Sequence, residues 1–232
     1  MDRAVSVDGD GAGNPIRVVL ADDEAVIRAG VRAILSADPE IDIVAEAADG
    51  REAIELVRRH RPRVALLDIR MPRLDGLTAA AEIRRLVPET AAVILTTFGE
   101  DDYIARALDG GASGFLLKSG DPRELIAGVR AVADGAAYLS PRVAHRVITT
   151  LRAGGISRGR AARTQIDTLT DRERDVLALL GAGLSNAEIG RRLFLVEGTV
   201  KSYVSAILTR LGVRNRVQAA VIAHEAGLVD DD

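Results

Sequence analysis

Short apolar runs alternate with amphipathic stretches from Ile16 to about residue 135. Segments 16–20, 41–45, 63–67, 91–95 and 114–117 have strand length and are built mainly from Val, Ile, Leu and Ala. Between and after them, segments 24–36, 49–59, 75–86, 100–109 and 121–134 carry helical spacing. In 24–36, for example, Ile27, Val31, Ile34 and Leu35 share one face. Asp49-Gly50 opens the second helix, and Pro122 falls at a first-turn position of the fifth. Five strands alternating with five helices predict an α/β unit: a five-stranded parallel sheet, doubly wound and covered on both faces.

Beyond Thr168 the strand signal ends. Thr170 with Glu173 and Ser185 with Glu188 have the spacing of capping boxes, each ahead of an apolar run. Gly181 and Gly183 close the first of these helices. A third helix spans about Glu197 to Leu211 and stops at Gly212, and a fourth covers Arg216 to about Ala226. Four short helices in about 60 residues predict a small all-α domain. Four segments are therefore expected: a disordered leader at 1–15, the α/β domain at 16–135, a connector at 136–166 and the helical domain at 167–232. Within the connector, Ser140-Pro141 predicts one more helix through Leu151. The Gly-rich stretch 152–160 lacks apolar periodicity and is expected to be flexible.

Composition refines this picture in two places. There are no cysteines, which excludes disulfides, thiolate metal sites and cysteine nucleophiles, and agrees with a reducing, cytoplasmic location. Neither a membrane span nor an export signal is apparent, so no membrane partner is expected. The net charge of −3 is unevenly spread. Residues 141–166 hold six arginines and no acids, a pattern that suits either nucleic acid or a solvated linker.

Candidate chemistry gathers where strands end. The first run ends in Asp22-Asp23, the third in Asp68, the fourth in Thr96-Thr97 and the last in Lys118. In open α/β sheets, ligands bind at the carboxyl ends of the strands. Carboxylates brought together repel unless a cation joins them. Mg²⁺ accepts oxygen ligands and suits one or two carboxylates plus a phosphate oxygen. Asp68 is then the natural nucleophile for phosphoryl transfer. Asp22 and Asp23 would hold the metal with Asp68 and the Arg70 backbone carbonyl, while Thr96 and Lys118 would contact the phosphoryl group. Each of these residues taken singly is also compatible with a helix cap, a turn or a solvated side chain.

The runs Val-Leu-Ala-Asp-Asp, Leu-Leu-Asp-Ile-Arg-Met-Pro-Arg-Leu-Asp-Gly, Ile-Leu-Thr-Thr-Phe and Gly-Ala-Ser-Gly-Phe-Leu-Leu-Lys resemble the receiver domain of two-component response regulators. The resemblance implies a flavodoxin-like fold and Asp68 as phosphoacceptor. It further implies a Mg²⁺ site at Asp22 and Asp23, phosphoryl contacts at Thr96 and Lys118, and a switch pair of Thr96 and Phe115. It makes the chain a phosphoacceptor with at most slow autodephosphorylation rather than an enzyme, and it implies a sensor histidine kinase as partner.

The helix 197–211 places Val200, Val204, Ile207, Leu208 and Leu211 on one side and Lys201, Ser202, Ser205 and Thr209 on the other. A capped helix, a tight turn and a second helix have the layout of a helix-turn-helix. By spacing alone, a protein-binding helical module fits as well, because 167–232 has 8 basic and 10 acidic residues. The stretches Leu-Thr-Asp-Arg-Glu-Arg, Gly-Leu-Ser-Asn-Ala-Glu-Ile-Gly, Glu-Gly-Thr-Val-Lys-Ser-Tyr-Val and Leu-Gly-Val-Arg-Asn-Arg resemble the LuxR-type helix-turn-helix of the NarL/FixJ regulators. That resemblance implies double-stranded promoter DNA as ligand, with Thr199, Lys201, Ser202, Ser205, Arg210 and Arg214 as the candidate contacts. Arg191, Arg192 and Arg216 are further candidates for phosphate neutralisation. The resemblance also implies a homodimer through the last helix, where Val217, Ala220 and Val221 fit either a dimer face or a core. RNA polymerase is a further candidate partner. A regulator switched by phosphorylation of Asp68 is the expected function, with a phosphorylation-independent DNA binder and a protein-binding adaptor as alternatives.

Overall fold

A computed structural model describes residues 14–97, 111–140, 143 and 156–229. The six described strands are β1 (Ile16–Ala21), β2 (Ile41–Ala47), β3 (Val64–Asp68), β4 (Ala91–Thr96), β5 (Gly114–Leu117) and β6 (Tyr138–Leu139). They form one parallel sheet in the order β2-β1-β3-β4-β5-β6. The described helices of this domain are α1 (Ala25–Leu35), α2 (Gly50–His60), α3 (Gly76–Leu86) and α4 (Pro122–Ala133). The helix expected at 100–109, the one expected from Ser140 to Leu151 and the leader as far as residue 13 lie outside the described residues, apart from Ser140 and Val143.

Strand alternation sorts the core into two layers. Val19, Ala21, Ala65, Leu67, Ile94, Phe115 and Leu117 face α2 and α3. Val18, Leu20, Val64, Leu66, Val93, Leu95 and Leu116 face α1 and α4. Because successive side chains point to opposite faces, both faces must be covered before such strands can be buried throughout. Helix α1 meets this need with Val31 and Leu35 buried and Ile27 and Ile34 packed beside them, the face that the sequence pattern predicts. Asp49 caps α2 by accepting from the amides of Arg51 and Glu52, and Asp75 caps α3 through the amide of Thr78.

Two features differ from expectation. The sheet has a sixth strand, because Tyr138 and Leu139 in the presumed connector pair in parallel with Gly114 and Phe115. A two-residue strand carries no period, so nothing in the pattern signals it. The second is α5 (Ile156–Ile166), which occupies much of the stretch expected to be flexible. Its buried Ala162 and Ile166, four residues apart, pack into the core of the helical domain, so tertiary contact overrides weak local propensity.

The remaining helices are α6 (Asp171–Gly181), α7 (Asn186–Leu193), α8 (Glu197–Leu211) and α9 (Arg216–Glu225). Their core is Val176, Leu177, Leu180, Ile189, Val200, Ile207, Leu211, Ile222 and smaller neighbours. Both capping boxes form: Thr170 and Ser185 each exchange hydrogen bonds with the glutamate three residues on. In the first, Glu173 is buried and its pKa is held low, first by the Thr170 amide and hydroxyl and then by Arg210 at 3.3 Å. Thr170→Ala, which leaves that glutamate short of its partner, is expected to cost the helical domain about 1 kcal/mol. A urea titration followed by far-UV circular dichroism reads the loss, and an unchanged transition would show that the box contributes nothing.

Candidate functional site

The two-layer alternation also decides which strand-end side chains meet. Asp22, Asp68 and Lys118 continue the rows of Leu20, Leu66 and Leu116, so all three emerge on the α1/α4 side of the sheet edge. The Lys118 ammonium lies 2.6 Å from Asp22 Oδ2 and 2.8 Å from Asp68 Oδ1. Asp22 and Asp68 are buried, whereas Asp23 is exposed at the rim. Ligand oxygens of Asp22, Asp23 and Asp68 all lie within 4.8 Å of one another. Thr96 and Phe115 belong to the opposite row, and both are buried. Phe115 sits in the α2/α3 core layer, with Ile94 beside it in register.

Backbone geometry holds the acids in place. The Glu24 amide donates to Asp22 Oδ1 at 2.9 Å, and the Arg70 amide to Asp68 Oδ2 at 3.2 Å. The Lys118 amide donates to the Thr96 carbonyl at 2.8 Å, which carries the β4–β5 pairing one step past the strand. Gly76 is required here: a β-carbon on it would stand 1.9 Å from the Asp68 carbonyl oxygen. Its amide donates to the Ile69 carbonyl at 3.0 Å, which folds the Arg70–Asp75 loop back over the strand end. Arg28, which sequence inspection does not single out, donates from Nη1 to the Asp22 carbonyl at 2.6 Å and from Nε to Glu46 at 3.2 Å. A lone arginine on an amphipathic helix gives no sign of that reach.

Electrostatically the pocket is short of positive charge. Burial raises the Asp68 pKa; Lys118 pulls against that and Asp22 adds to it. Burial alone would lower the Lys118 pKa, but its bonds to Asp22 and Asp68 outweigh this and keep it raised. One ammonium faces three carboxylates, so the pocket suits a second, divalent cation. The donor set is all oxygen, which favours a hard ion such as Mg²⁺.

The second candidate surface is α8. Lys201 ion-pairs with Glu197 one turn back at 2.6 Å, and the Ser202 hydroxyl donates to the Gly198 carbonyl. Lys201, Ser205 and Thr209 line a cleft of about 650 Å³ whose opposite wall belongs to the α/β domain. Arg210 is exposed, paired with Glu173 and donating to the Thr168 carbonyl. Arg216 is not available for phosphate neutralisation. It is buried and donates to the Leu184 carbonyl at 2.6 Å, to Asn186 Oδ1 at 3.2 Å and to the Gly135 carbonyl of the other domain. Desolvation lowers its pKa to about 10. Val217 is buried, and Val221 packs against the core of the α/β domain. The last helix thus joins the two domains, a role its sequence does not display.

A parallel sheet in the order β2-β1-β3-β4-β5-β6 with an acid cluster where the order reverses, joined to a domain of capped helices, defines a two-domain protein with an α/β half and a helix-turn-helix half. Residues 18–130 match the response regulator receiver domain, and residues 167–223 match the bacterial regulatory proteins of the luxR family. The transcriptional regulatory protein DegU of Brevibacillus brevis is 37% identical over 93% of this chain and 96% of its own. The DNA-binding transcriptional activator DevR/DosR of Mycobacterium tuberculosis is 40% identical over 90% and 94%. The crystal structure of ChrA, a response regulator of a heme-sensing two-component system, is similar with a TM-score of 0.52 and 33% identity, over 93% of this chain and 99% of that one. The chain belongs to the two-component response regulators that join a receiver domain to a LuxR-type DNA-binding domain. Receiver domains bind Mg²⁺ at their acidic pocket, and the oxygen donors of Asp22, Asp23 and Asp68 fit that ion.

Asp23→Asn removes one of three crowded negative charges and is expected to stabilise the metal-free protein by on the order of 1 kcal/mol. The same substitution should shrink the stabilisation that added Mg²⁺ produces. Thermal melts in EDTA and in excess Mg²⁺ test both effects; a variant less stable than the parent in EDTA would contradict the electrostatic account.

Proposed function

We propose that Asp68 is the phosphoacceptor of this regulator and that its modification releases the DNA-reading surface of α8. The observation that carries the reading is the meeting of Asp22, Asp23, Asp68 and Lys118 at one sheet edge. An Asp68 carboxylate oxygen attacks phosphorus of a phosphohistidine on a sensor kinase. The P–N bond breaks, an acyl phosphate forms and the imidazole leaves with a proton. Lys118 neutralises phosphoryl oxygens on one side, and the Thr96 hydroxyl donates on the other. Asp22, Asp23, Asp68 and the Arg70 carbonyl would hold Mg²⁺, which when bound supplies further charge neutralisation at the phosphoryl oxygens. Slow hydrolysis returns Asp68 to the carboxylate. Protons compete with metal for Asp68. Its raised pKa therefore makes Mg²⁺ affinity fall with decreasing pH from above the ordinary carboxylate range.

Thr96 and Phe115 share a face, so movement of Thr96 toward a new phosphoryl group opens space for the Phe115 ring. Readout requires α8 to leave the cleft, where Lys201 and Ser205 now face the receiver. Lys201, Ser202 and Ser205 would read bases in the major groove, with Thr199, Arg210 and Arg214 on phosphates once the helix is free. Dimerisation on promoter half-sites and contact with RNA polymerase would follow that release.

Asp68→Ala is expected to abolish labelling by acetyl phosphate in the presence of Mg²⁺, and persistent labelling would refute the assignment. Lys201→Ala should weaken promoter binding by roughly 1–3 kcal/mol and relax the sequence preference. Equal loss on promoter and unrelated DNA in a gel-shift titration would make Lys201 a phosphate contact instead.

A further inference from the structure

The turn between β2 and α2 borders the acidic pocket without supplying any of its carboxylates. It follows Ala47, whose carbonyl accepts from the Asp22 amide at 3.1 Å. Asp49 in this turn is fully buried. Its Oδ1 caps α2, accepting from the Arg51 amide at 2.8 Å and the Glu52 amide at 3.0 Å. Its Oδ2 forms an ion pair with Arg73, a residue of the Arg70–Asp75 loop that folds back over Asp68. Arg73 has a φ of +64°, in the left-handed region. That conformation is unfavourable for a residue with a side chain and persists where surrounding contacts impose it. At the next residue the same turn grips the loop again. The Gly50 amide donates to the Leu74 carbonyl at 3.1 Å, and a β-carbon on Gly50 would stand 2.5 Å from that oxygen.

Helix capping alone does not account for this arrangement. A cap needs one side-chain oxygen, and Asn or Ser supplies it as well as Asp. A fully buried carboxylate is costly unless a cation pairs with it, so the charge of Asp49 has its purpose in Arg73. We propose that the Asp49–Arg73 ion pair is a positioning device for the cation pocket. It sets the course of the Arg70–Asp75 loop. Through that loop it places the Arg70 carbonyl and the Arg70 amide that holds Asp68 Oδ2. Neither Asp49 nor Arg73 is a ligand; both act through the loop. The inference rests on the reading of Asp22, Asp23 and Asp68 as a Mg²⁺ site and adds two residues to it. Charge and geometry make opposite demands here. Loss of Arg73 leaves Asp49 unneutralised, and on charge alone the added negative field would strengthen cation binding. Loss of the Asp49 charge would, on charge alone, weaken it. A positioning role requires both changes to weaken it.

Calorimetric titration of Mg²⁺ into the metal-free full chain tests this. Arg73→Gln, and Asp49→Asn, which keeps a capping oxygen, are each expected to weaken Mg²⁺ binding by on the order of tenfold. The double variant should bind no more weakly than either single one, because both substitutions remove the same interaction. Arg73→Lys restores the charge and should recover part of the affinity, which a loss caused by misfolding would not allow. Far-UV circular dichroism of each variant in EDTA should match the parent. Unchanged affinity in Arg73→Gln would overturn the proposal. So would tighter binding in Arg73→Gln beside weaker binding in Asp49→Asn, which is the signature of charge alone, and so would additive losses in the double variant. Asp23→Asn tests the pocket itself. Mg²⁺ binding that is unaffected by Asp23→Asn would overturn the metal site and the proposal with it. Binding weakened in Asp23→Asn but unchanged in Arg73→Gln would leave the metal site standing and overturn the positioning role alone.

Discussion

The deficit of positive charge at the carboxyl edge of the sheet is the constraint around which the rest of the structure is arranged. Three carboxylates lie within 4.8 Å of one another, and the one ammonium among them pairs with Asp22 and Asp68. A fold optimised for stability alone would replace one of them. The receiver instead holds them with rigid backbone: the Asp22 and Asp68 oxygens accept from main-chain amides, and Gly76 lets the loop after β3 fold back to within van der Waals contact. Charge imbalance stored in a stiff frame can be relieved by a divalent cation or altered by a phosphoryl group. Such an arrangement suits a divalent cation and a phosphoryl group at the same pocket.

The opposite face of the same strands explains how that change can travel. Asp68, Lys118 and Asp22 lie in one row, while Thr96 and Phe115 lie in the other, against the α2/α3 core. Thr96 lies two residues past Ile94, which pairs in register with Phe115, so the strand-end hydroxyl and the buried ring belong to one row. The contact with the helical domain lies at the other, amino-terminal edge of the sheet, a full strand length from the acids. The Gly135 carbonyl just past α4 accepts from Arg216, which also binds the Leu184 carbonyl and Asn186 in the turn between α6 and α7. Severing one of these bonds leaves Arg216 buried with fewer partners, a cost that makes docking cooperative rather than gradual.

Sequence patterning located most elements of both domains because each buried strand is an uninterrupted apolar run and each capped helix carries its own punctuation. The members of the acidic pocket were legible for the same reason: every one follows a run, so their convergence required only a parallel sheet. What escaped notice has a common physical origin. β6 is too short to have a period, α5 is helical through the contacts of Ala162 and Ile166, and Arg28 and Arg216 act through carbonyl oxygens that no sequence marks. Arg216 illustrates the limit well. An arginine in a helix-turn-helix reads as a phosphate contact, and only its burial among carbonyls of two domains shows that it holds structure instead.

The docked arrangement of the domains rests on a small number of contacts. Val221 packs against the core of the α/β domain and Arg216 donates to the Gly135 carbonyl, whereas the like charges of Arg84 and Arg214 work against closure. A few favourable contacts set against a like-charge pair make a docked state whose population responds to modest changes in free energy in either domain.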